Sequence, residues 1–234
     1  MRASFIPDLQ IQETYAITGD AHHHLVHVIR LEVGEELLLL NGQGLKVFSQ
    51  VEGISKKEVR LSFLRSEDSE RPFELDLALG MPKKEALELS LKQAVELGFR
   101  KIYLIRSAYS QQRYLEADRV KSLVVSALEQ SNSPFLPEII EADWNKIEWE
   151  NYESSLMMDS QTKDLSLSDD LMFTAPRLLV VGPEGGFSPE EINFLHQRPK
   201  MRVLNLPTPI LRTPTAVATG AGVILQSLNK SAKG

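Results

Sequence analysis

The spacing of apolar residues changes near residue 70, and this change divides the chain into two parts. In the first part, short apolar runs alternate with turns, at Leu37–Leu40, Lys46–Val51 and Val59–Leu64. Short strands in this succession predict a small β-barrel. The polar stretch Arg65–Pro72 predicts a linker. We therefore expect one domain over residues 1–70 and a second over residues 73–234.

In the second part, short apolar runs alternate with amphipathic segments. The segment Lys84–Leu97 places Leu87, Leu91 and Val95 on one face, which predicts a helix that packs against a sheet. Strands that alternate with helices predict an α/β fold with a mostly parallel sheet. The predicted strands are Leu75–Leu79, Ile102–Ile105, Leu156–Met158, Leu178–Val181 and Val203–Leu206, and the further helices are Leu115–Gln130 and Ala216–Leu228.

A strand, a glycine-rich turn and a helix follow one another within fourteen residues. The apolar strand Leu178–Val181 stops at Gly182–Gly186, and Ser188 with Glu191 forms a capping box around Pro189 at the first helical position. Glycine lets a ligand approach the backbone, so a loop of this kind suits ligand binding. The loop lacks both G-x-G-x-x-G and the Lys-Ser/Thr of a phosphate-binding loop. A plain strand-to-helix connection therefore stays an open alternative at this point.

A second loop of similar construction follows about twenty residues later. The apolar strand Val203–Leu206 leads into a proline-rich loop, and a helix of small residues begins at Ala216. Together the two loops resemble those of the RsmE-type RNA methyltransferases of the SPOUT class. That family carries GPEGG-F-[ST]-x-x-E and then I-L-R-x-x-T-A, which Gly182–Glu191 and Ile210–Ala216 match. Further matches lie at His24–Leu31, Asn41–Gly44, Ala94–Gly98 and Ala127–Ser131.

The resemblance implies a fold and a cofactor. The implied fold is an N-terminal PUA-like β-barrel that helps to hold RNA, followed by a SPOUT α/β domain with a trefoil knot. The implied cofactor is S-adenosylmethionine, held among the loops Leu156–Ser160, Val181–Gly186 and Leu204–Ala216. Within these loops, the residues that we expect to bind the cofactor are Met158, Asp159, Val181, Gly182, Pro183, Glu184, Gly185, Gly186, Leu204, Asn205, Leu206, Ile210, Leu211, Arg212, Thr215 and Ala216.

The resemblance also implies methylation of N3 of a uridine in the 16S RNA of the small ribosomal subunit. N3 of uracil is a weakly acidic imide, so negative charge spreads onto O2 and O4 when its proton leaves. A guanidinium stabilises such charge, and Arg212 is our candidate for this role. The alternative is that Arg212 braces the loop through backbone carbonyls. Glu184 is a candidate proton acceptor, and it equally suits a role in orienting the loop.

Three prolines depart from the family pattern. Pro207 and Pro209 stand where the family usually has Gly and Arg, and Pro214 stands where it usually has Glu. Each proline fixes φ and removes a backbone donor, so part of the cofactor or uridine contact is expected to differ. Pro214 also suits the first turn of the final helix, with Thr213 as its N-cap.

The charge distribution is compatible with an RNA partner even though the net charge is −6. The acidity is concentrated in residues 131–175, whereas residues 71–130 and 176–234 are net positive. Basic side chains of the middle stretch suit a phosphate-contacting face, and solvated helix faces are the alternative. Our candidates for RNA contact are Arg30, Lys83, Lys84, Arg113 and Gln130; the wider basic set is Lys92, Arg100, Lys101, Arg106 and Arg119.

Several classes of function are excluded or disfavoured. The chain contains no cysteine, which excludes disulfides, thiolate catalysis and Cys-based zinc sites. His23 and His27 have the i, i+4 spacing of a metal pair, but no third ligand is evident, so we expect no metal. Asp20 is instead expected to cap a short helix in which Leu25, Val28 and Ile29 are buried. Trp144 and Trp149 are interpreted as packing residues.

The expected partners are small-subunit ribosomal RNA and a second copy of the chain. The homodimer is implied by the resemblance, and the small residues of the last helix suit close helix approach. No apolar run reaches the length of a membrane span, and the start lacks the apolar core of a signal peptide, so we expect a cytoplasmic protein. Two alternatives stay open: a SPOUT 2′-O-ribose methyltransferase, and a non-catalytic RNA-binding protein of ribosome assembly.

Overall fold

A computed structural model describes residues 1–111, 116–159 and 176–231, with side chains described up to residue 227. The chain forms two compact units. The first contains Met1–Arg71 and Val125–Leu136, and the second contains Pro72–Val124 and Pro137–Gly234. The first unit thus takes in a segment that lies far beyond residue 70 in the sequence.

The first unit is built on a five-stranded mixed sheet. Its strands are β1 (Arg2–Phe5), β2 (Thr14–Ile17), β3 (Glu36–Leu40), β4 (Leu45–Ile54) and β5 (Val59–Asp68). The spatial order is β1-β3-β4-β5-β2, in which only the β1–β3 pair is parallel. Two register shifts between β4 and β5 mark irregularities that bend paired strands. The sheet curls into a half-barrel, so the predicted PUA-like fold is confirmed.

The core of the first unit lies on one face of this curled sheet. Leu37, Leu39, Val47, Val51 and Leu61 are buried there with neighbouring apolar side chains. The predicted succession of strands over residues 37–64 is therefore present, and the observed strands are longer than predicted. Strand β5 continues to Asp68, so half of the predicted linker is strand. Strands β1 and β2 were not predicted, because each has only four residues.

The histidine-rich segment forms α1 (Gly19–His23), which continues into one turn of π-helix at His24–Val28. The prediction for this segment was partly wrong. Asp20 lies inside the first turn of α1, and the N-cap is Thr18. Leu25 is fully buried, but Val28 is 62% exposed. The wider turn of a π-helix changes which positions face the core, and α-helical spacing cannot anticipate this.

The second unit contains a six-stranded sheet. Its strands are β6 (Leu75–Gly80), β7 (Lys101–Ile105), β8 (Glu138–Ala142), β9 (Ser154–Met158), β10 (Arg177–Val181) and β11 (Met201–Leu204). They lie in the order β11-β9-β10-β6-β7-β8, and every pairing is parallel. The predicted parallel α/β sheet is confirmed. Strand β8 was missed, because its outer positions are acidic.

The remaining helices are α2 (Lys84–Glu96), α3 (Ala117–Ser131), α4 (Pro189–His196) and α5 (Thr213–Ser231). In α2 the predicted apolar face is fully buried, and Gly98, with φ of +77°, ends the helix. Helix α5 begins three residues before the predicted start. The predicted start of α3 at Leu115 and the predicted loop Gln161–Asp170 lie outside the described residues.

No helix in the described part of the chain has both the length and the apolar character that crossing a membrane would need.

A buried polar network lies at the amino end of the second sheet, around Asp76. The Asp76 carboxylate is fully buried and accepts hydrogen bonds from Arg100 Nε at 3.0 Å, Arg100 Nη2 at 2.8 Å and Tyr152 Oη at 2.7 Å. Burial, followed by the charge of Asp76, raises the pKa of the Tyr152 hydroxyl. Arg100 also forms an ion pair with Glu74, so its guanidinium is bonded within the protein, and its contact with phosphate stays a prediction. The predicted packing role of Trp144 and Trp149 is confirmed, since both are buried.

Candidate functional site

Among the described residues, a cavity lies where β9, β10 and β11 end. In a parallel sheet the carboxyl ends of all strands meet at one edge, so three loops distant in sequence come together there. The cavity is lined by Met158, Asp159, Val181, Gly182, Pro183, Glu184, Gly185, Gly186, Phe187, Ile192, Leu204, Asn205, Leu206, Thr208, Pro209, Ile210, Leu211, Thr213 and Ala216. Every residue expected to bind the cofactor is in this set except Arg212 and Thr215.

The glycine-rich loop after β10 folds as a tight turn. The Gly186 N–H donates to the Pro183 carbonyl oxygen at 2.9 Å, and Gly186 has a φ of +71°, which favours glycine. The capping box predicted for α4 is present in both directions: Ser188 Oγ accepts from the Glu191 N–H at 3.2 Å, and the Glu191 carboxylate accepts from the Ser188 N–H at 2.9 Å. The first helical turn therefore holds the loop in place.

Strand β6 approaches this loop so closely that its last residue has to be glycine. A Cβ on Gly80 would lie 2.7 Å from Cδ of Pro183 and 3.2 Å from the Pro183 nitrogen. A Cβ on Gly182 would lie 3.3 Å from both the Gly186 carbonyl carbon and the Phe187 ring. Glycine at these positions thus lets the loop lie directly against the sheet edge.

The loop after β11 is fastened to the other two loops. Thr213 Oγ1 donates to the Gly182 carbonyl at 3.1 Å, and the Asp159 N–H donates to the Leu204 carbonyl at 3.2 Å. Thr213 was expected as the N-cap of the final helix, but α5 already begins at Thr213, and its hydroxyl connects the start of the helix to the glycine-rich loop. Among the described residues, the backbone N–H groups of Ile210 and Leu211 have no hydrogen-bond partner, so they are available to a ligand.

Glu184 lies at the exposed side of the cavity and faces the start of α2. Its two carboxylate oxygens accept from the Lys83 N–H at 3.1 and 3.3 Å. Lys83 is the N-cap of α2, and a carboxylate at that end of a helix is favoured by the backbone dipoles. The observed contact therefore connects the cavity loop to α2.

Arg212 and Thr215 flank the cavity without lining it. Both are exposed. Within the part of the chain that the structure describes, the Arg212 side chain makes no hydrogen bond or ion pair, and the Arg212 carbonyl accepts the Ala216 N–H at 2.9 Å as α5 begins. Among the described residues, only the backbone of Arg212 is hydrogen-bonded, and its guanidinium is exposed. The charged residues that line the described part of the neighbouring cavity are both acidic, Asp159 and Glu184.

Glu191 accepts further hydrogen bonds beyond the one that belongs to the capping box. Its carboxylate also accepts from Ser107 Oγ at 3.0 Å, the Ala108 N–H at 3.0 Å and Trp144 Nε1 at 2.8 Å. The loop after β7 is thereby fixed beside the glycine-rich loop. Sequence reasoning found the cap but not these bonds, because their donors lie far away in sequence.

The residues predicted to contact RNA are distributed over both units. Lys83 and Lys84 are exposed at the start of α2, whereas Arg30 and Gln130 are exposed on the first unit. Arg113 lies outside the described residues. Of the wider basic set, Lys101, Arg106 and Arg119 form ion pairs with Glu138, Glu141 and Glu88, respectively.

The histidine cluster is held by ordinary contacts. His22 is buried, with Nε2 3.0 Å from the Ser55 carbonyl oxygen, and the rings of His23 and His27 lie 4.7 Å apart. In residues 1–111, 116–159 and 176–227, no three His, Asp or Glu side chains are grouped so as to hold a metal ion.

Comparison with known proteins agrees with this architecture. Residues 69–225 match the family model of the RNA methyltransferase domain, and residues 17–64 match that of the RNA methyltransferase PUA domain. Ribosomal RNA small subunit methyltransferase E of Rickettsia conorii is 30% identical over 213 residues, which cover 87% of this chain and 86% of that protein. The chain belongs to the ribosomal RNA small subunit methyltransferase E family.

One further relative is similar in sequence, and two solved structures share the fold. The methyltransferase E of Bacillus subtilis is 26% identical, with 88% of each chain covered. The crystal structure of the methyltransferase E of Neisseria gonorrhoeae, solved with S-adenosylmethionine, superposes with a TM-score of 0.81 at 22% identity, covering 97% of both chains. A methyltransferase of Legionella pneumophila, also solved with S-adenosylmethionine, gives a TM-score of 0.83 at 23% identity, covering 96% of this chain and 97% of that one. The predicted family and fold class are confirmed.

Proposed function

We propose that the protein transfers a methyl group from S-adenosylmethionine to N3 of a uridine in the 16S RNA of the small ribosomal subunit. The observation that carries this proposal is the cavity at the carboxyl ends of β9, β10 and β11, in a chain of the methyltransferase E family. Relatives with this name act on small-subunit ribosomal RNA, and two structural neighbours were solved with the cofactor.

The cavity residues fit this cofactor by shape and by charge. Apolar side chains such as Leu206, Ile210 and Leu211 suit the adenine ring, and the backbone N–H groups of the last two suit its ring nitrogens. S-adenosylmethionine supplies an electrophilic methyl group on a positively charged sulfur, with a neutral thioether as the leaving group. The two charged residues described in the lining, Asp159 and Glu184, are acidic and favour this positive charge.

The protein's own contribution is to position the uridine and stabilise the charge that forms on it. When the N3–H proton leaves, negative charge is shared by O2 and O4 of the base. Arg212 carries a guanidinium that is exposed beside the cavity and makes no described side-chain bond, so it is available to these oxygens. For Glu184, the two bonds from Lys83 favour a role in holding the loop, with acceptance of the N3 proton as the alternative.

The two units are proposed to divide the work. The first unit, which carries Arg30 and Gln130, holds RNA in the manner implied by its PUA-like fold, and the second unit holds the cofactor and the reacting base. We also propose a trefoil knot, a cytoplasmic location and a homodimer, all of which rest on the family resemblance. Light scattering of the purified protein at twice the chain mass would support the dimer, and a monomer at micromolar concentration would contradict it.

Calorimetric titration tests the cofactor. S-adenosylmethionine is expected to bind, whereas adenosine triphosphate, which offers the same adenosine with negative charge, is expected to bind at least about tenfold more weakly beside the two carboxylates. Equal affinity for the two ligands would contradict the charge argument. Absence of any binding of S-adenosylmethionine would favour the non-catalytic assembly protein.

Nucleoside analysis tests the target. Cells that lack the gene are expected to lose a 3-methyluridine from 16S RNA and to regain it when the wild-type gene is supplied. Retention of that nucleoside, with loss of a 2′-O-methylated one, would instead identify a ribose methyltransferase.

A further inference from the structure

An exposed tyrosine lies against the cavity loop, in a position that the proposed reaction has not used. Tyr109 is 45% exposed, although most large apolar side chains of this unit are buried. A Cβ on Gly185 would lie 3.0 Å from Tyr109 Cβ and 3.4 Å from Tyr109 Cγ, so the tyrosine packs directly on a residue that lines the cavity. Ile210, another exposed apolar side chain at 83%, lines the same cavity.

Tyr109 is carried by a turn whose backbone is held by hydrogen bonds. The Ser110 N–H donates to the Ser107 carbonyl at 3.0 Å, and the Ser107 N–H donates to Ser110 Oγ at 3.0 Å. Glu191 then fixes the turn to the start of α4 through Ser107 Oγ and the Ala108 N–H, both at 3.0 Å. An exposed aromatic ring is thus held beside the cavity on a braced support.

This arrangement suits the binding of a flat, uncharged ring, and the uracil base of the proposed target is such a ring. An enzyme that acts on a base has to take it out of its stack, and the extruded base needs a new surface to lie on. Aromatic side chains supply such surfaces, because every base has a flat face that stacks on an aromatic ring. Among the described residues the Tyr109 hydroxyl makes no hydrogen bond, so a hydrogen bond within the protein does not explain why a tyrosine lies here.

We propose that Tyr109 is the platform on which the target uracil stacks when its N3 is presented to the methyl donor. The inference rests on the proposed function, which it deepens by naming a residue that recognises the base. Glu191 is then a positioning residue, because it holds the turn that carries Tyr109 and does not itself touch the base.

Three substitutions at one position separate stacking from packing. Tyr109→Phe keeps the aromatic face, Tyr109→Leu keeps the Cβ and Cγ atoms that pack on Gly185 but removes the face, and Tyr109→Ala removes both. The substrate is small-subunit particles from cells lacking the gene, with radiolabelled S-adenosylmethionine as methyl donor. The KM for particles, kcat, the calorimetric affinity for S-adenosylmethionine and the urea midpoint are measured for each variant.

The expected order follows from the aromatic face. The Phe variant should keep the wild-type KM within about twofold, and the Leu and Ala variants should raise it about tenfold or more, with cofactor affinity unchanged. A Leu variant that behaves like wild type would overturn the proposal, since the contact with Gly185 would then explain the tyrosine. Equal loss of cofactor affinity in the Leu and Ala variants would also overturn it. Failure of the proposed function is recognised separately, because the wild-type protein would then methylate no particle.

Discussion

At the scale of single residues, arginine side chains have different roles at different positions of this protein. Two basic residues of the second unit show the contrast. Arg100 is bonded to the buried Asp76, and this hydrogen bonding raises the pKa of Arg100, whereas Arg212 is exposed beside the cavity without a described side-chain partner. A guanidinium that contributes nothing to packing is the better candidate for charge stabilisation during the reaction.

Substitution of Arg212 tests this role. Arg212→Ala is expected to lower kcat by about 10²–10³, the usual cost of removing one group that stabilises developing charge. Cofactor affinity and the urea midpoint should change little, because the side chain lines no wall of the cavity. Arg202→Ala removes another exposed arginine, from β11, and serves as the control, with activity retained. A kcat within threefold of wild type for Arg212→Ala would contradict the role of its guanidinium in charge stabilisation.

At the scale of elements, the cavity depends on how closely β6 and the glycine-rich loop approach each other. Gly80→Ala would place a methyl group 2.7 Å from the Pro183 ring, which cannot yield as a flexible side chain would. We expect a loss of about 1–3 kcal/mol in the free energy of unfolding and weaker cofactor binding.

Gly222→Ala is the matched control, because no atom lies within 4 Å of its added Cβ and the residue is within α5. This variant is expected to keep cofactor affinity and to gain up to about 1 kcal/mol of stability, since alanine favours a helix more than glycine does. Urea unfolding and calorimetry of the two variants check both statements. Unchanged cofactor affinity in Gly80→Ala would mean that the loop relaxes without disturbing the cavity.

The start of α4 depends on the Glu191 carboxylate in a similar way. Glu191→Gln keeps the size but replaces one of two accepting oxygens by a donor. Either the N–H groups of Ala108 and Trp144, which share Oε1, or the Ser188 N–H and the Ser107 hydroxyl, which share Oε2, then lose their acceptor. A loss of about 1–3 kcal/mol is expected in urea unfolding, because a partly buried donor left without an acceptor is costly. Glu190→Gln changes the neighbouring exposed carboxylate, which accepts no bond from Ala108 or Trp144, and should lower the urea midpoint less than Glu191→Gln does. Similar midpoints for the two variants would contradict the role assigned to Glu191.

At the scale of the whole molecule, the chain does not divide at one boundary. Helix α3 begins in the second unit, while its last turns and the residues up to Leu136 belong to the first. There Glu129 Oε1 accepts the Phe5 N–H at 2.9 Å. Burial raises the pKa of this carboxyl above its ordinary value of 4.5, outweighing the Phe5 bond and the charge of His24, which lower it.

The raised pKa of Glu129 predicts a pH dependence of stability. Well below pH 4.5 the carboxyl is protonated in both the folded and the unfolded chain, so it does not change the free energy of unfolding. As the pH rises, the unfolded chain ionises first, so the folded chain loses relative stability until Glu129 itself ionises. Glu129→Gln is expected to be more stable than wild type at pH 7, with the difference vanishing below pH 4 in urea unfolding. A difference that persists at low pH would show that ionisation is not the cause.

Much of the fold was determined by the sequence alone, because the relevant signals are local. Apolar runs located most of the strands, amphipathic spacing located the buried face of α2, and the Ser188–Glu191 pattern located the start of α4. The short edge strands β1 and β2 and the π-helical turn escaped prediction, because four residues or one irregular turn leave no periodic pattern.

The candidate site was determined in part by sequence and in part by tertiary structure. The two loops after β10 and β11 were identified from their residues and from the family they resemble, and a parallel sheet brings its carboxyl ends to one edge. Only the folded chain decided that Thr213 fastens one loop to the other, that Glu191 serves the loop after β7, and that Tyr109 stands beside the cavity. These contacts join residues 31, 84 and 76 positions apart, and no local pattern encodes a hydrogen bond or a packing contact over such separations.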